Sequence, residues 1–485
     1  MKAWVYLILV LGLIFRVYNF DKGFSFAHDQ DLYSWIAKDI VTNHHNRLVG
    51  QVTSVDGVFI GSAYYYLMAL FYKLGGMNPM MAVIPITLLG LSTIWSFYFV
   101  VSRHFGNKSG MWAAFIYSIS FGCAYFDRWS VPTQPTVLWS IWFLFVILET
   151  LKGKLKVLPL YAFLCGFVWQ LHIALLPILP LPILAYVLSK NSLFNIFNKN
   201  NLKITLFSLL IFLLTLSPFL MFEFKHNFSQ VKAMVTGINV DKGGPTGIQK
   251  FNKVIETSGR EFQQRLLFDF DRSGVAQYWI VLILIIVYLI FIKQITLKLF
   301  LLLTLWIGLI MLAQFSSKRV VSEYYFTNLL PIYILILSVF LGKIKNKYMV
   351  IVLALGYLFL NLKWLVSKSD DYESYFYKMQ VVNFVKNDVE INKYPCVAVN
   401  FIADPGVGVG FRYLFWWQKV KLVRPGVEGV AVYNIPIPWQ ISQKDNPIIF
   451  GRYGVIIPPK PETIIDEALC DNPENQLDPL LGYVE

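Results

Sequence analysis

The chain reads as a polytopic α-helical membrane protein with a small extracytoplasmic α/β domain at its C-terminal end, and three observations predict this. Hydrophobic residues make up 56% of its 485 residues and charged ones 15%, at a mean hydropathy of +0.55, whereas soluble domains carry about a quarter charged residues. Apolar runs long enough to cross a hydrocarbon core, about twenty residues each, recur along its first three quarters. Lysine and arginine gather in alternate connections between those runs.

The runs predict about eleven transmembrane helices, near residues 3–20, 79–102, 110–127, 134–150, 157–171, 173–189, 204–222, 277–292, 298–315, 324–342 and 348–366. Short positive loops stay cytoplasmic during insertion. Alternate connections hold Lys2; Arg103 and Lys108; Lys152, Lys154 and Lys156; Lys190, Lys199 and Lys203; Lys293 and Lys298; and Lys343, Lys345 and Lys347, against Glu149 alone. Their net charge equals the formal +13 of the whole chain. The basic character is therefore a topology signal, and no basic patch is left over for nucleic acid. The N-terminus is expected inside and the C-terminal domain outside a cell (inner) membrane. The first span lacks a small-residue cleavage site and is read as an uncleaved anchor.

Residues 1–366 form the expected membrane domain and residues 367–485 the outer domain. The first outer segment, 21–78, opens with His28, Asp29, Gln30 and Asp31, after which Leu32, Tyr33, Ile36, Ala37 and Ile40 recur at the spacing of a helix lying on the bilayer surface. A stretch with Gly50, Gly57 and Gly61 leads to an apolar run, Ala63 to Leu74, too short to span and suited to an interfacial helix. Pro177, Pro180 and Pro182 predict a kinked sixth span beside a cavity. Residues 223–276 show no periodicity and read as a long mobile loop, a frequent form of active-site lid. Beyond the last span, helices over Tyr372–Val389 and Tyr413–Lys419 and strands over Cys396–Ile402 and Tyr453–Ile457 are expected. Cys396 and Cys470 both fall in this outer domain, where an oxidising compartment permits a disulfide or leaves two thiols.

Polar groups near membrane depth are costly, which makes them functional candidates. The Asp29 and Asp31 carboxylates just beyond the first span can supply a general base or a hard-metal ligand pair. A structural reading makes Asp29 the N-cap of the following helix. Arg16, Asp127, Arg128, Gln170 and His172 all map to the outer ends of spans, which favours a shared polar cavity over isolated snorkelling residues. Glu223, Lys225 and His226 follow the seventh span, while Lys318, Arg319, Tyr324 and Tyr325 precede the tenth. Cations beside tyrosines suit a phosphate-bearing lipid, and an ordinary solvated loop is the bland reading. The sequence has no P-loop, HExxH or paired CxxC. No charge falls in the middle third of a span, which argues against an ion-coupled transporter.

The ordered motifs resemble those of GT-C glycosyltransferases, in the branch of protein O-mannosyltransferases and the lipid A aminoarabinose transferase. The resemblance covers roughly residues 3 to 345. It rests on His28 to Asp31, GSAYYYLMALFYKLGG at Gly61 to Gly76, RHFGNKSG at Arg103 to Gly110, FDRWSVPTQP at Phe126 to Pro135, WQLH at Trp169 to His172, FEFKHNF at Phe222 to Phe228 and EYYFTNLLP at Glu323 to Pro331. It implies transfer of a sugar from a polyprenyl-phosphate carrier to a lipid, glycan or protein acceptor outside the cytoplasm, with inversion. Asp29 would be the base, aided by Asp31, and His28, Gln30, Arg128, Gln170, His172, Glu223, His226, Lys318, Arg319, Tyr324 and Tyr325 would line the substrate site. Two departures stand out: the usual Asp-Glu pair is Asp29 and Gln30 here, and Gly61, Ser62 and Ala63 replace paired prolines. They leave the use of a divalent cation and the acceptor class open. A flippase for lipid-linked sugars is the alternative, and a glycan-binding scaffold using Trp416 and Trp417 is a third.

Overall fold

A backbone in lipid has no hydrogen-bond partner but itself, so apolar runs become helices. The computed structural model describes residues 2–237, 243–268, 276–371, 373–404, 409–459 and 467–484. It begins with α1 (Lys2–Val17), the single turn α2 (Phe20–Gly23) and α3 (His28–Thr42). An antiparallel hairpin of β1 (Val49–Val52) and β2 (Phe59–Gly61) follows, then α4 (Ala63–Leu74). Helices thus form over both stretches expected to be helical, α3 being largely buried against the protein, and the glycine-bearing stretch between them is the hairpin.

The membrane body continues with α5 (Val83–Phe105), α6 (Asn107–Ile119), α7 (Phe121–Arg128), α8 (Thr136–Thr150), α9 (Leu158–Leu171), α10 (Leu181–Leu188) and α11 (Leu202–Lys225). After α12 (Ser229–Gly237) and α13 (Gly247–Leu267) come α14 (Ala276–Phe291), α15 (Leu297–Ser316), α16 (Leu330–Gly342) and α17 (Lys347–Ser367). Helical segments fall within every expected span. Among the described residues, the five at Pro79–Phe105, Leu202–Lys225, Leu297–Ser316, Glu323–Gly342 and Lys347–Ser367 are long and apolar enough to cross a membrane by themselves.

Three differences shape the outer rim. The third expected span is two helices, because the Ser120 side chain accepts the Cys123 backbone N–H and donates to the Arg265 carbonyl, turning the chain between α6 and α7. The sixth opens as a 3-10 turn over Ile173–Ile178, the kink that its prolines predict. Residues 223–276, expected as a mobile loop, hold α12 and the 21-residue α13; residues 238–242 and 269–275 of that segment lie outside the described residues. The buried polar side of α13 packs on the protein, so its mixed charge hid a helix with a wet face and a packed one.

The two ends of the bundle are chemically distinct. At one, Glu149 holds Lys154 at 2.9 Å and Arg103 at 3.2 Å, joining α8 to α5. At the other, the buried Arg16 guanidinium pairs with Asp127 at 2.6 Å and Tyr117 donates to the same carboxylate. Arg128 donates to the carbonyls of Phe15, Arg16 and Tyr18, satisfying the open end of α1.

Beyond α17 come α18 (Tyr375–Asn392), β3 (Val397–Ala403), α19 (Arg412–Trp417), β4 (Leu422–Val423), β5 (Val432–Ile437), the hairpin β6 (Ile448–Phe450) and β7 (Tyr453–Val455), and α20 (Glu467–Asp471). The sheet runs β4-β3-β5 with parallel pairing. Cys396 and Cys470 are joined in a disulfide. Apolar packing bridges the boundary expected at residue 367. One apolar cluster unites Phe24, Tyr33, Tyr65 and Ile86 with Val382, Val399, Tyr413 and Ile435.

Candidate active site

The start of α3 determines which of the two carboxylates is held by backbone N–H groups. The chain enters the helix through Ala27, whose backbone N–H is taken by the Gln30 side chain at 2.9 Å. Asp29 is therefore not the cap, contrary to the structural reading of the sequence. Its half-buried carboxylate instead meets the Gln51 amide at 3.5 Å, a long contact, and Gln51 is held in turn by the Tyr65 hydroxyl. Asp31 points elsewhere: its two oxygens accept the backbone N–H groups of Arg412 at 3.0 Å and Tyr413 at 2.6 Å. It caps α19 and ties the C-terminal segment to α3. Gln30 is fully buried and donates to the Ser130 carbonyl at 2.7 Å, fixing the loop after α7.

Asp29 lines a cavity of about 370 Å³ together with Gln51, Trp129, Gln134, His172, Arg265 and Tyr324. Arg265 comes from α13. Its guanidinium lies 3.6 Å above the Phe126 ring, 2.9 Å from the Glu261 carboxylate and 3.2 Å from the Thr327 hydroxyl. The Arg265 Nε and the Glu261 oxygen are close but misaligned for a hydrogen bond, so the pair is ionic. His172 follows α9 and packs its ring edgewise on Tyr324 and Tyr325, whose hydroxyls are 2.8 Å apart.

A second cavity, about 400 Å³ and almost wholly apolar, lies alongside. Leu67, Trp139, Trp142, Phe163 and Phe167 line it, with Gln170 at its polar end. Pro132 borders both cavities. Gly61 permits the close approach here, since a Cβ at that position would meet the Gln170 side chain at 2.3 Å. Gln170 accepts the Ala63 backbone N–H at 3.1 Å, so the segment from Gly61 to Ala63 docks against it.

Asp29, His172 and Tyr324 of the predicted site residues come together in the polar cavity, and Tyr325 stands behind His172. The others are held apart. His28 bonds the Leu481 carbonyl at 2.9 Å, and Arg128 is spent on α1. Glu223 is buried against Gln230 and the Val231 N–H, and His226 is exposed and stacks on Phe222 at 4.3 Å. Lys318 borders a separate small cavity with Lys250, while Arg319 braces the rim by donating to the carbonyls of Ser54 and Gly237. Asp31 and Gln30 serve as ties. Among the described residues no three His, Cys, Asp or Glu side chains form a metal-ligating group.

Arg265 escaped the sequence reading because it lay in the presumed loop. The signal that could have found it is the i, i+4 spacing of Glu261 and Arg265, which is that of a helical ion pair.

Residues 62–222 match the family described as dolichyl-phosphate-mannose-protein mannosyltransferase. The fold is of the GT-C type, and the resemblance to GT-C glycosyltransferases drawn from the motifs is thereby borne out. Among solved structures, ArnT from Cupriavidus metallidurans bound to undecaprenyl phosphate superposes with a TM-score of 0.61 at 10% identity, covering 94% of this chain and 98% of that one. Its apo form gives 0.59 at 10% identity, with the same coverages. No curated protein sequence matches the chain.

Proposed function

We propose that this protein is a membrane glycosyltransferase that moves a sugar from a polyprenyl-phosphate carrier to an acceptor hydroxyl on the extracytoplasmic side, with inversion. One observation carries the reading: a carboxylate relieved of capping, Asp29, faces a polar cavity containing Arg265, and that cavity adjoins an apolar groove. A carrier-linked sugar has the same division into an apolar tail, an anionic link and a polar head. ArnT from Cupriavidus metallidurans binds undecaprenyl phosphate within the same fold, which supports a carrier of this kind here.

Asp29 takes the proton from the acceptor hydroxyl as its oxygen attacks the anomeric carbon. The bond from that carbon to the phosphate oxygen breaks, and its electron pair leaves on the phosphate. Arg265 faces the charge that develops there, in a site where surrounding aromatics weaken screening. Glu261 and Thr327 hold the guanidinium in place, so little reorganisation is needed during reaction. The basic connections favour an N-terminus in the cytoplasm with the site at the opposite face, and the Cys396–Cys470 disulfide suits an oxidising compartment there.

Purified protein in vesicles with radiolabelled polyprenyl-phosphate sugars and a membrane extract as acceptor source tests this. Release of carrier phosphate coupled to labelled product is expected. Translocation of the donor without release would replace the transferase reading with a flippase, and neither outcome would leave a scaffold.

A further inference from the structure

His172 stands where the two cavities meet. The residues before it, Gln170 and Leu171, line the apolar groove, and His172 lines the Asp29 cavity. In a carrier-linked sugar the group between apolar tail and sugar ring is the phosphate, so the phosphate of a ligand filling both cavities lies beside this ring. The reasoning rests on the carrier reading above.

The local fold also determines the ring's proton. His172 caps the 3-10 turn that follows it, and its Nδ1 accepts the Ala174 backbone N–H at 3.0 Å. A nitrogen that accepts a hydrogen bond carries no proton, so the neutral ring bears its proton on Nε2. Among the described residues nothing accepts a bond from Nε2. Tyr324 and Tyr325 hold the ring's orientation with centroids at 5.6 and 5.3 Å, and the charged groups lining the same cavity are Asp29, Arg265 and Asp127, the last paired with Arg16. Burial pushes the imidazole down to about 4, so the ring is neutral near pH 7.

We propose that His172 donates a hydrogen bond from Nε2 to a phosphate oxygen of the carrier, as a neutral donor whose tautomer is set by the Ala174 N–H. The ring cannot serve as the base, because Nε2 already holds a proton and Nδ1 is occupied. Deprotonation of the acceptor is left to Asp29, and the imidazole keeps its proton throughout. Arg265 supplies charge to the leaving phosphate; His172 supplies direction at the end of the groove.

Farnesyl phosphate and farnesol, titrated into the detergent-solubilised full chain, read this without any transfer reaction. Two variants separate capping from donation. His172→Asn keeps an oxygen able to accept the Ala174 N–H and removes the outer donor, while His172→Gln returns an N–H near the Nε2 position. The wild type is expected to prefer the phosphate over the alcohol. His172→Asn is expected to lose roughly ten- to a hundredfold of that preference, the worth of one bond to a charged group, with farnesol binding unchanged. His172→Gln should restore part of it. Full preference in His172→Asn would overturn the assignment, as would 15N spectra of labelled histidine showing Nε2 unprotonated or the ring titrating near pH 6.5. A wild type without preference for the phosphate would instead remove the carrier reading, and this assignment with it.

Discussion

Asp29 and Asp31 are two residues apart, and replacing each by asparagine should fail in opposite ways. Asp29 has one long contact to Gln51, so Asp29→Asn should cost only a few tenths of a kcal/mol in stability. Loss of a general base lowers turnover about 10²- to 10⁴-fold, or about 3–5 kcal/mol of barrier. Asp31 accepts two backbone N–H groups at 3.0 and 2.6 Å across the joint between α3 and α19. An asparagine offers one oxygen and turns an amide N–H₂ toward the second donor. With bonds to a charged group worth about 1.5–3 kcal/mol, Asp31→Asn should destabilise by about 2–4 kcal/mol. The assay pairs release of labelled carrier phosphate with thermal unfolding of the same preparations. Asp29→Asn should be inactive at near wild-type Tm, and Asp31→Asn should melt early while the folded fraction still turns over. An Asp29→Asn enzyme with wild-type turnover would remove Asp29 from the role of base. An inactive Asp31→Asn protein of unchanged Tm would return Asp31 to the chemistry.

Arg265→Lys should retain the buried charge beside Glu261 but lose the planar contact with Phe126, lowering turnover about 10²-fold; Arg265→Leu should in addition cost about 3–5 kcal/mol by stranding Glu261, read by thermal unfolding. Burial alone would raise Asp39, but hydrogen bonds from Asn43 and Arg47 and the Arg47 charge outweigh it and hold the carboxyl below its usual range. The stabilisation is thus present above the unfolded value of about 4 and lost as pH falls through the folded one, so acid unfolding of wild type should show a pH dependence near and below 4 that Asp39→Asn lacks. Replacing Cys396 and Cys470 by serine opens a link across 74 residues and should lower stability by about 4 kcal/mol, measured in denaturant with and without reductant.

The amino-acid order alone determined the helical scaffold and supplied the expectation of its sidedness. Lipid leaves an apolar run of twenty residues few alternatives to a helix, and the cost of moving lysine across a bilayer records orientation in each loop. It also singled out Asp29 and His172, because polar groups beside apolar spans stand out against their surroundings. Tertiary structure decided which of the candidates meet. Gln30 rather than Asp29 satisfies the helix start, and Asp31 is consumed by a partner nearly four hundred positions away, beyond the reach of any local pattern. Arg265 enters the cavity on a helix whose polar sequence resembled a loop, because its buried face is polar and only the surrounding protein makes that face an interior. Apolar packing likewise joins α3 and α4 to the C-terminal segment, a contact between parts of the sequence too far apart for any local pattern to show.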